Sequence, residues 1–406
     1  MGERHCLRVL VAGIKWPPET FLYRLVRGLA EAGVEVTVGC AVKPDCRGVK
    51  WFRMPSWNVP IPLRLAKLVA AASRAFLVSR RDIGLLGSLM NQEGSFSDRL
   101  RRWYALLPFT GRRWDVIYFP WIATAAYLLP VTRLGMPVVV SYRGRQINIA
   151  PHNPQRLELR NSLPEVFNRA SAVHCVSEAI KQEAEKYGLD PKKAWVIRPA
   201  VDPEVFRPAE SLGDRDGLVN IATTGSLIWH KGHEYALQAV RRVLDYGYQV
   251  RFHVVGDGPE RQRVVYTIQD LGLEGVVVLH GRCGEEQVVR LLQQSDVFLL
   301  SSLSEGISNA VLEAMACGLP VVTTECGGMR EVVTDGVEGF VVPVRDPEAM
   351  AGALIRLIES PDLRCKMGCA GRERVIREFT LSQQVQKWLE LLEAVACSWY
   401  SGERAQ

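Results

Sequence analysis

Short runs of apolar, largely β-branched residues alternate along this chain with stretches whose apolar positions return every three or four residues. In the first half the runs are LRVLVAGI, VEVTVGCAV, WDVIYFP, PVVVSY, SAVHCVS and AWVIRPAVD; in the second they are LVNIATTGS, YQVRFHVVGDG, VVVLHG, VFLLSS, PVVTTE and GFVVPV. Runs without a polar face predict strands buried on both sides, and hence parallel sheets with covering helices. The series restarts after the charged stretch SLGDRDG at 211–217, the expected linker. The expected fold class is α/β, with two doubly wound parallel sheets in tandem at 1–205 and 206–380. Beyond them SQQVQKWLELLEAVACSWY carries Val385, Trp388, Leu389 and Leu392 at helical spacing, so 381–406 is expected to be a helix crossing back to the first domain. Sheets of this kind bind ligands at the carboxyl ends of their strands, and two of them facing each other are expected to leave a cleft.

Composition narrows the class. The 406 residues are 48% hydrophobic and 23% charged, and no segment reaches the ~18 apolar residues of a membrane span, which excludes an integral membrane protein. MGERHCLRVLVAGI has no signal-peptide pattern, and Cys6 stands where a myristoylation motif wants Ser or Thr, so a cytoplasmic location is expected. Ten cysteines without a C-x-x-C, with Cys365 and Cys369 one helical turn apart, are expected to be reduced, buried thiols.

The net charge of +6 is unevenly placed, with twelve Lys and Arg against three acids (Asp82, Glu93, Asp98) in residues 50–113. In PIPLRLAKLVAAASRAFLVSRR apolar and basic residues share a helical spacing, as in a helix lying on an anionic membrane surface. The plainer alternative is a solvated basic face over a buried apolar stripe. Trp51, Phe52, Trp57, Phe76, Trp103 and Tyr104 interleave with the cations, but no nucleic-acid module accompanies them, so no nucleic-acid partner is expected.

Three strand-ending loops carry candidate chemistry. In SEGISNAVLEA, 304–314, Ser308 or Asn309 is expected to cap a helix, and Gly306 lets a ligand approach the backbone closely. Glu305 then stays in the loop while Glu313 lies in the second helical turn. They do not converge as the paired carboxylates of a retaining glycosidase do, at about 5–5.5 Å, and they suit two parts of one extended ligand. The bland reading is a solvated helix with a salt-bridged Glu313. In TTGSLIWHKGHEYALQAV, Gly225 ends a strand and Lys231 sits at a helix start, where a cation suits a departing diphosphate. His230 and His233 lack a third ligand and read as exposed loop histidines. The third loop, VVGDGPERQ, holds Gly256 and an Asp257-Gly258-Pro259 turn. Asp214-Arg215-Asp216 spells D-x-D but falls in the expected linker, so no metal role is expected.

Together these loops resemble the retaining, metal-independent glycosyltransferases of family 4, whose signature is an E-x7-E motif; EGISNAVLEAMACGLPVV, 305–322, matches it nearly throughout. The likeness extends to GSLIWHKG, VVGDGP, HGRCGEEQVVRLLQQSDVFLLSSLSEG and ECGGMREVVTDGVEGFVVPVRDPEAMA, and in the first half to HCVSEAIKQEAEKYGLDPKKAWVIRPAVDPEVF. It implies a GT-B fold, with an acceptor-binding domain at 1–205 and a nucleotide-sugar domain at 206–380. It also implies transfer of a sugar with retention from a UDP- or GDP-linked donor to a glycan or lipid-linked acceptor, without metal or other cofactor.

By the same resemblance Glu305 contacts the sugar hydroxyls, the amides of Gly306, Ile307 and Ser308 face sugar and phosphates, Glu313 holds the ribose and Lys231 the diphosphate. Gly225, Ser226, Gly256, Arg282 and Asn309 complete the implied donor site, and the catalytic set is Glu305, Lys231 and Arg143. Departures from the family pattern matter too. Ser226 replaces a frequent Arg, for which Arg282 or Arg143 stands in. WPPETF, 16–21, resembles the first loop of exopolysaccharide and colanic-acid-type transferases and puts Glu19 and Thr20 on the acceptor side. Arg143-Gly144 occupies the place of a usual His-Gly, with His152 nearby as an alternative. A nucleotide-sugar epimerase or hydrolase, or a binding subunit without catalysis, remain the other readings.

Overall fold

In the computed structural model residues 6–57, 60–88, 95–144, 149–154, 157–210 and 217–403 are described. Asp214–Asp216, Glu93 and most of the expected linker lie outside them. The chain forms two compact units: 1–176 with 181–197 and 385–406, and 177–180 with 198–384.

The first unit carries β1 (Arg8–Ala12), β2 (Glu35–Cys40), β3 (Lys50–Arg53), β4 (Val116–Phe119), β5 (Val138–Tyr142), β6 (Ala172–Cys175) and β7 (Ala194–Val196). Their order is β3-β2-β1-β4-β5-β6-β7, and every pair is parallel. The second unit carries β8 (Val219–Thr224), β9 (Val250–Val255), β10 (Val277–Gly281), β11 (Val297–Leu300), β12 (Val321–Thr324) and β13 (Gly339–Val342). The order there is β10-β9-β8-β11-β12-β13, again all parallel. The central strands are apolar on both faces because helices cover both faces.

One strand, β3, was not expected. Its KWFR sequence buries only Phe52, while Lys50, Trp51 and Arg53 are exposed, as befits a charged sheet edge that resists pairing with another chain.

The helix Leu381–Glu403 contributes Trp388, Leu391, Leu392, Val395 and Ala396 to the core of the first unit, around β1, β2 and β4. Between β3 and β4 run the helices Ile61–Val78 and Arg80–Gly87, separated at Ser79, whose hydroxyl accepts the Asp82 N–H at 3.2 Å. The first buries a stripe of small and apolar residues, Ala75 with Leu68, Ala71 and Ala72, against Tyr104 and Leu107, but its larger apolar side chains Leu63, Leu65, Val69, Phe76 and Leu77 stand 47, 55, 64, 49 and 84% exposed. No helix among the described residues is long and apolar enough to cross a membrane. All ten cysteines are free, but only Cys40, Cys175, Cys317 and Cys326 are buried, which corrects the expectation that the thiols are interior. Cys365 and Cys369 lie on an exposed helix surface, where a thiol needs no packing partner.

Candidate active site

In the second sheet β9 lies on one side of β8 and β11 on the other, so the chain reverses direction of winding between β8 and β11. Loops leaving the carboxyl ends of these two strands diverge and leave a crevice. Residues 225–232 leave β8 and lead into the helix His233–Asp245, while 301–308 leave β11 and lead into the helix Asn309–Ala316. The two loops are stitched together. Leu303 N–H donates to the His230 carbonyl at 2.8 Å, and Ser301 Oγ donates to the Lys231 carbonyl at 3.0 Å. Across this seam Lys231 Nζ meets Glu305 Oε1 at 2.5 Å, and Ser302 Oγ donates to the same oxygen at 2.8 Å. With side chains only 18 and 13% exposed, ammonium and carboxylate interact in a medium where charge counts for more than in water.

Neighbouring loops buttress this pair. Gly256 (φ +142°) lies so close to the preceding loop that a Cβ there would come 1.8 Å from the Gly225 carbonyl oxygen. Gly327 (φ +56°) does the same on the other side, 1.9 Å from the Glu305 carbonyl oxygen, and Gly328 N–H donates to the Gly306 carbonyl at 2.7 Å. Gly306, Ile307 and Ser308 have N–H groups that donate to no backbone carbonyl among the described residues. Such orphan donors before a helix favour an anion. The third loop is anchored by Leu227 N–H on the Asp257 carbonyl at 3.1 Å.

Other candidates fall around this centre with corrections. Ser308 occupies the N-cap position, but its side chain makes no capping bond, and the Asn309 Oδ1 is buried without a hydrogen-bond partner. His230 and His233 are buried, not exposed, because the loop folds over them. Burial pushes the His233 imidazole down to about 4, and its Nε2 faces the Ser226 carbonyl at 3.3 Å. Ser226 itself is exposed, as is Arg282 one residue beyond β10. Glu313 lies half-buried in the second turn of its helix; burial, then the Glu313 charge, pushes the Cys317 thiol up to about 12. Cys326 drew no attention in the sequence. Its buried thiol sits near Glu305 and Lys231, pushed up to about 11, chiefly by burial, and so is inert.

The first unit has its own reversal between β1 and β4. Phe21, one residue into the helix Thr20–Glu31, meets Trp121, just past β4, edge to face at 6.0 Å. Arg143, at the end of β5, lays its guanidinium 4.3 Å from the centre of the Phe21 ring, and its Nη2 approaches the Tyr118 hydroxyl at 3.4 Å. Its Nε is buried without a partner, and no carboxylate pairs with it among the described residues. Gly144 is buried, while Glu19 and Thr20 are exposed at the helix start, where Glu19 makes no capping bond. His152 is exposed and faces Tyr187 at 3.5 Å. Sequence reasoning missed the polar side chains behind Arg143, namely Tyr118, Ser141 and His174. The only signal was that each is a polar residue inside an otherwise apolar strand.

Residues 18–205 match the family model described as Glycosyltransferase Family 4, and residues 210–374 match the one described as Glycosyl transferases group 1. The chain belongs to glycosyltransferase family 4. This family 4 chain is 30% identical over 248 residues to the amylovoran biosynthesis glycosyltransferase AmsK of Erwinia amylovora, a match covering 59% of the chain and 60% of the relative. It is 29% identical over 301 residues to the protein of Salmonella typhimurium assigned as the colanic acid biosynthesis glycosyltransferase WcaL, covering 71% and 72%. The match to AmsK thus spans less than two thirds of that relative's length. Among solved structures, Anabaena HepE in complex with UDP-glucose superposes with a TM-score of 0.72 over 96% of this chain and 100% of that one, at 18% identity. That likeness is one of fold, and the fold of this family 4 member is GT-B, with two Rossmann-like parallel sheets.

Proposed function

We propose that the protein transfers a sugar, with retention, from a nucleoside-diphosphate sugar to a hydroxyl of a glycan or lipid-linked acceptor in polysaccharide or glycoconjugate synthesis. The observation that carries this reading is the Lys231–Glu305 pair held at the β8/β11 reversal. Lys231 supplies positive charge for a diphosphate that becomes more negative as it leaves, and the orphan amides of Gly306 to Ser308 add donors that need no rearrangement. Glu305, rotationally fixed by two donors on one oxygen, presents its carboxylate to sugar hydroxyls. Glu313 serves the ribose from the second helical turn. The departing phosphate takes the acceptor's proton, so no protein nucleophile is needed and no metal enters the scheme. Arg143, with no carboxylate partner among the described residues, meets an anionic group of the substrate on the first unit. HepE, of the same fold, has been crystallised with UDP-glucose, which makes UDP-sugars the first donors to try.

The exposed apolar side chains of Ile61–Val78 have Arg64, Lys67, Arg74, Arg80 and Arg81 near them in the chain. Apolar side chains with cations at their borders suit the surface of an anionic leaflet, where a lipid-linked acceptor would be found. The protein then works as a peripheral enzyme on the cytoplasmic face.

A screen of UDP-, GDP- and ADP-sugars by thermal denaturation tests the donor, because a ligand bound only by the folded state raises the midpoint. One donor should stabilise the protein, and Lys231→Ala should abolish that shift and lower transfer at least ~100-fold. Stabilisation without turnover on any acceptor would favour the binding-subunit reading. Unchanged transfer by both Lys231→Ala and Glu305→Ala would defeat the assignment.

A further inference from the structure

Behind Arg143 an unbroken line of polar groups runs through the interior of the first sheet. The Tyr118 hydroxyl lies 2.7 Å from Ser141 Oγ, Ser141 Oγ lies 2.6 Å from His174 Nδ1, and His174 Nε2 lies 2.8 Å from the Ile197 carbonyl oxygen. Tyr118, Ser141 and His174 come from β4, β5 and β6 and are 1, 0 and 2% exposed. Trp388 covers two of them, its ring centre 4.7 Å from that of Tyr118 and 4.6 Å from that of His174.

The two ends fix the direction of every bond between them. A carbonyl oxygen only accepts, so His174 must carry its proton on Nε2 and leave Nδ1 as an acceptor. Ser141 therefore donates to Nδ1, and its oxygen accepts from the Tyr118 O–H. That leaves a Tyr118 lone pair facing Arg143, whose guanidinium only donates. The other tautomer would put two donors face to face at Ile197. Burial, followed by the nearby Arg143 charge, holds the imidazole down at about 3, so the same arrangement persists across neutral pH.

We propose that Tyr118, Ser141 and His174 are positioning residues that hold Arg143, aimed by the Phe21 ring, to receive an anionic group of the substrate, a phosphate or a carboxylate. This rests on the reading of Arg143 as a substrate-contacting group. A tyrosine hydroxyl free to rotate would present its proton to the guanidinium part of the time. Here the chain removes that orientation, and the acceptor, though distant at 3.4 Å, always faces Arg143.

Two measurements test it. In a 1H–15N spectrum of the imidazoles, His174 should be the neutral Nε2–H tautomer from pH 5 to 8; the Nδ1–H tautomer would reverse the chain and overturn the proposal. The second is a double-mutant cycle of Arg143→Ala and Tyr118→Phe, read as kcat/KM for UDP release from UDP-glucose, or from the donor that the thermal screen puts in its place. Tyr118→Phe should lower kcat/KM about fivefold in the wild-type background, as loss of one modest hydrogen bond does, and have no effect once Arg143 is alanine. Denaturation midpoints of all four proteins separate this from loss of fold. An equal fall in both backgrounds, or none in either with Arg143→Ala impaired, overturns the positioning role alone. Full activity of Arg143→Ala overturns the reading of Arg143 and the positioning role with it.

Discussion

A carboxylate oxygen that accepts from an ammonium and a hydroxyl together has little freedom left, and Glu305 is in that state before any ligand is considered. The sequence made Glu305 and Lys231 visible because each lies in a short motif at the end of an apolar run. It could not make their pairing visible, since 74 residues separate them and only the adjacency of β8 and β11 brings them together. Histidines were read least well at this scale, because exposure was inferred from loop position and the loops fold inward. Burial of histidines has a measurable counterpart, both at His233 and at His174 in β6. His174 and His233 titrate near 3 and 4 when folded, against about 6.5 unfolded, so the unfolded chain takes up protons that the folded one refuses. Their contribution to stability is complete above about pH 6.5 and falls as the pH drops toward 4, by up to about 1.4 kcal/mol per pH unit for each histidine. Urea midpoints at pH 7 and pH 5 should differ accordingly, and His233→Gln should reduce the difference; an unaltered difference would mean that His233 is not a buried neutral group.

At the level of the element, strands were legible wherever both faces are covered, since uninterrupted apolar runs have few other uses. The edge strand β3 was not, because a strand with one buried residue in four carries no periodic signal. For Ile61–Val78 the helix was plain in the spacing, whereas the fate of its apolar stripe depended on what packs there, which spacing does not encode. Beside the stripe it buries, Leu63, Leu65, Val69, Phe76, Leu77 and Val78 are exposed, a costly arrangement in water that a bilayer interface would relieve at about 0.8 kcal/mol per buried methylene. Flotation with vesicles containing phosphatidylserine should recover the wild-type protein and lose the Val69→Glu, Leu77→Glu double variant. Binding to uncharged phosphatidylcholine vesicles should be weaker, reflecting the flanking cations. Equal flotation of both proteins would dispose of this surface as a membrane contact.

On the scale of the whole molecule, two sheets in tandem followed from counting strand series on either side of one charged stretch. The boundary was less legible: the first unit's main part runs to residue 197, short of the expected 205, and it is completed by 385–406, within the helix expected to cross back to it. Trp388, 1% exposed, is the largest side chain in that contribution. Trp388→Ala should lower the unfolding free energy by about 3–5 kcal/mol, seen as an earlier denaturant midpoint. It should also loosen the buried polar line that Trp388 covers. A midpoint equal to that of the wild type would show that the helix does not contribute to the core as described.

That shared core also bears on how the protein is made. Residues 198–384 are synthesised between the first unit's main segment and the helix that completes it. At about 5–20 residues per second the ribosome needs roughly 10–40 s to cross that interval. During this time the apolar seat of Trp388 stays uncovered on the nascent chain, within reach of chaperones. The unit begun first is therefore finished last, and a ribosome stalled anywhere between residues 198 and 384 would leave both units incomplete.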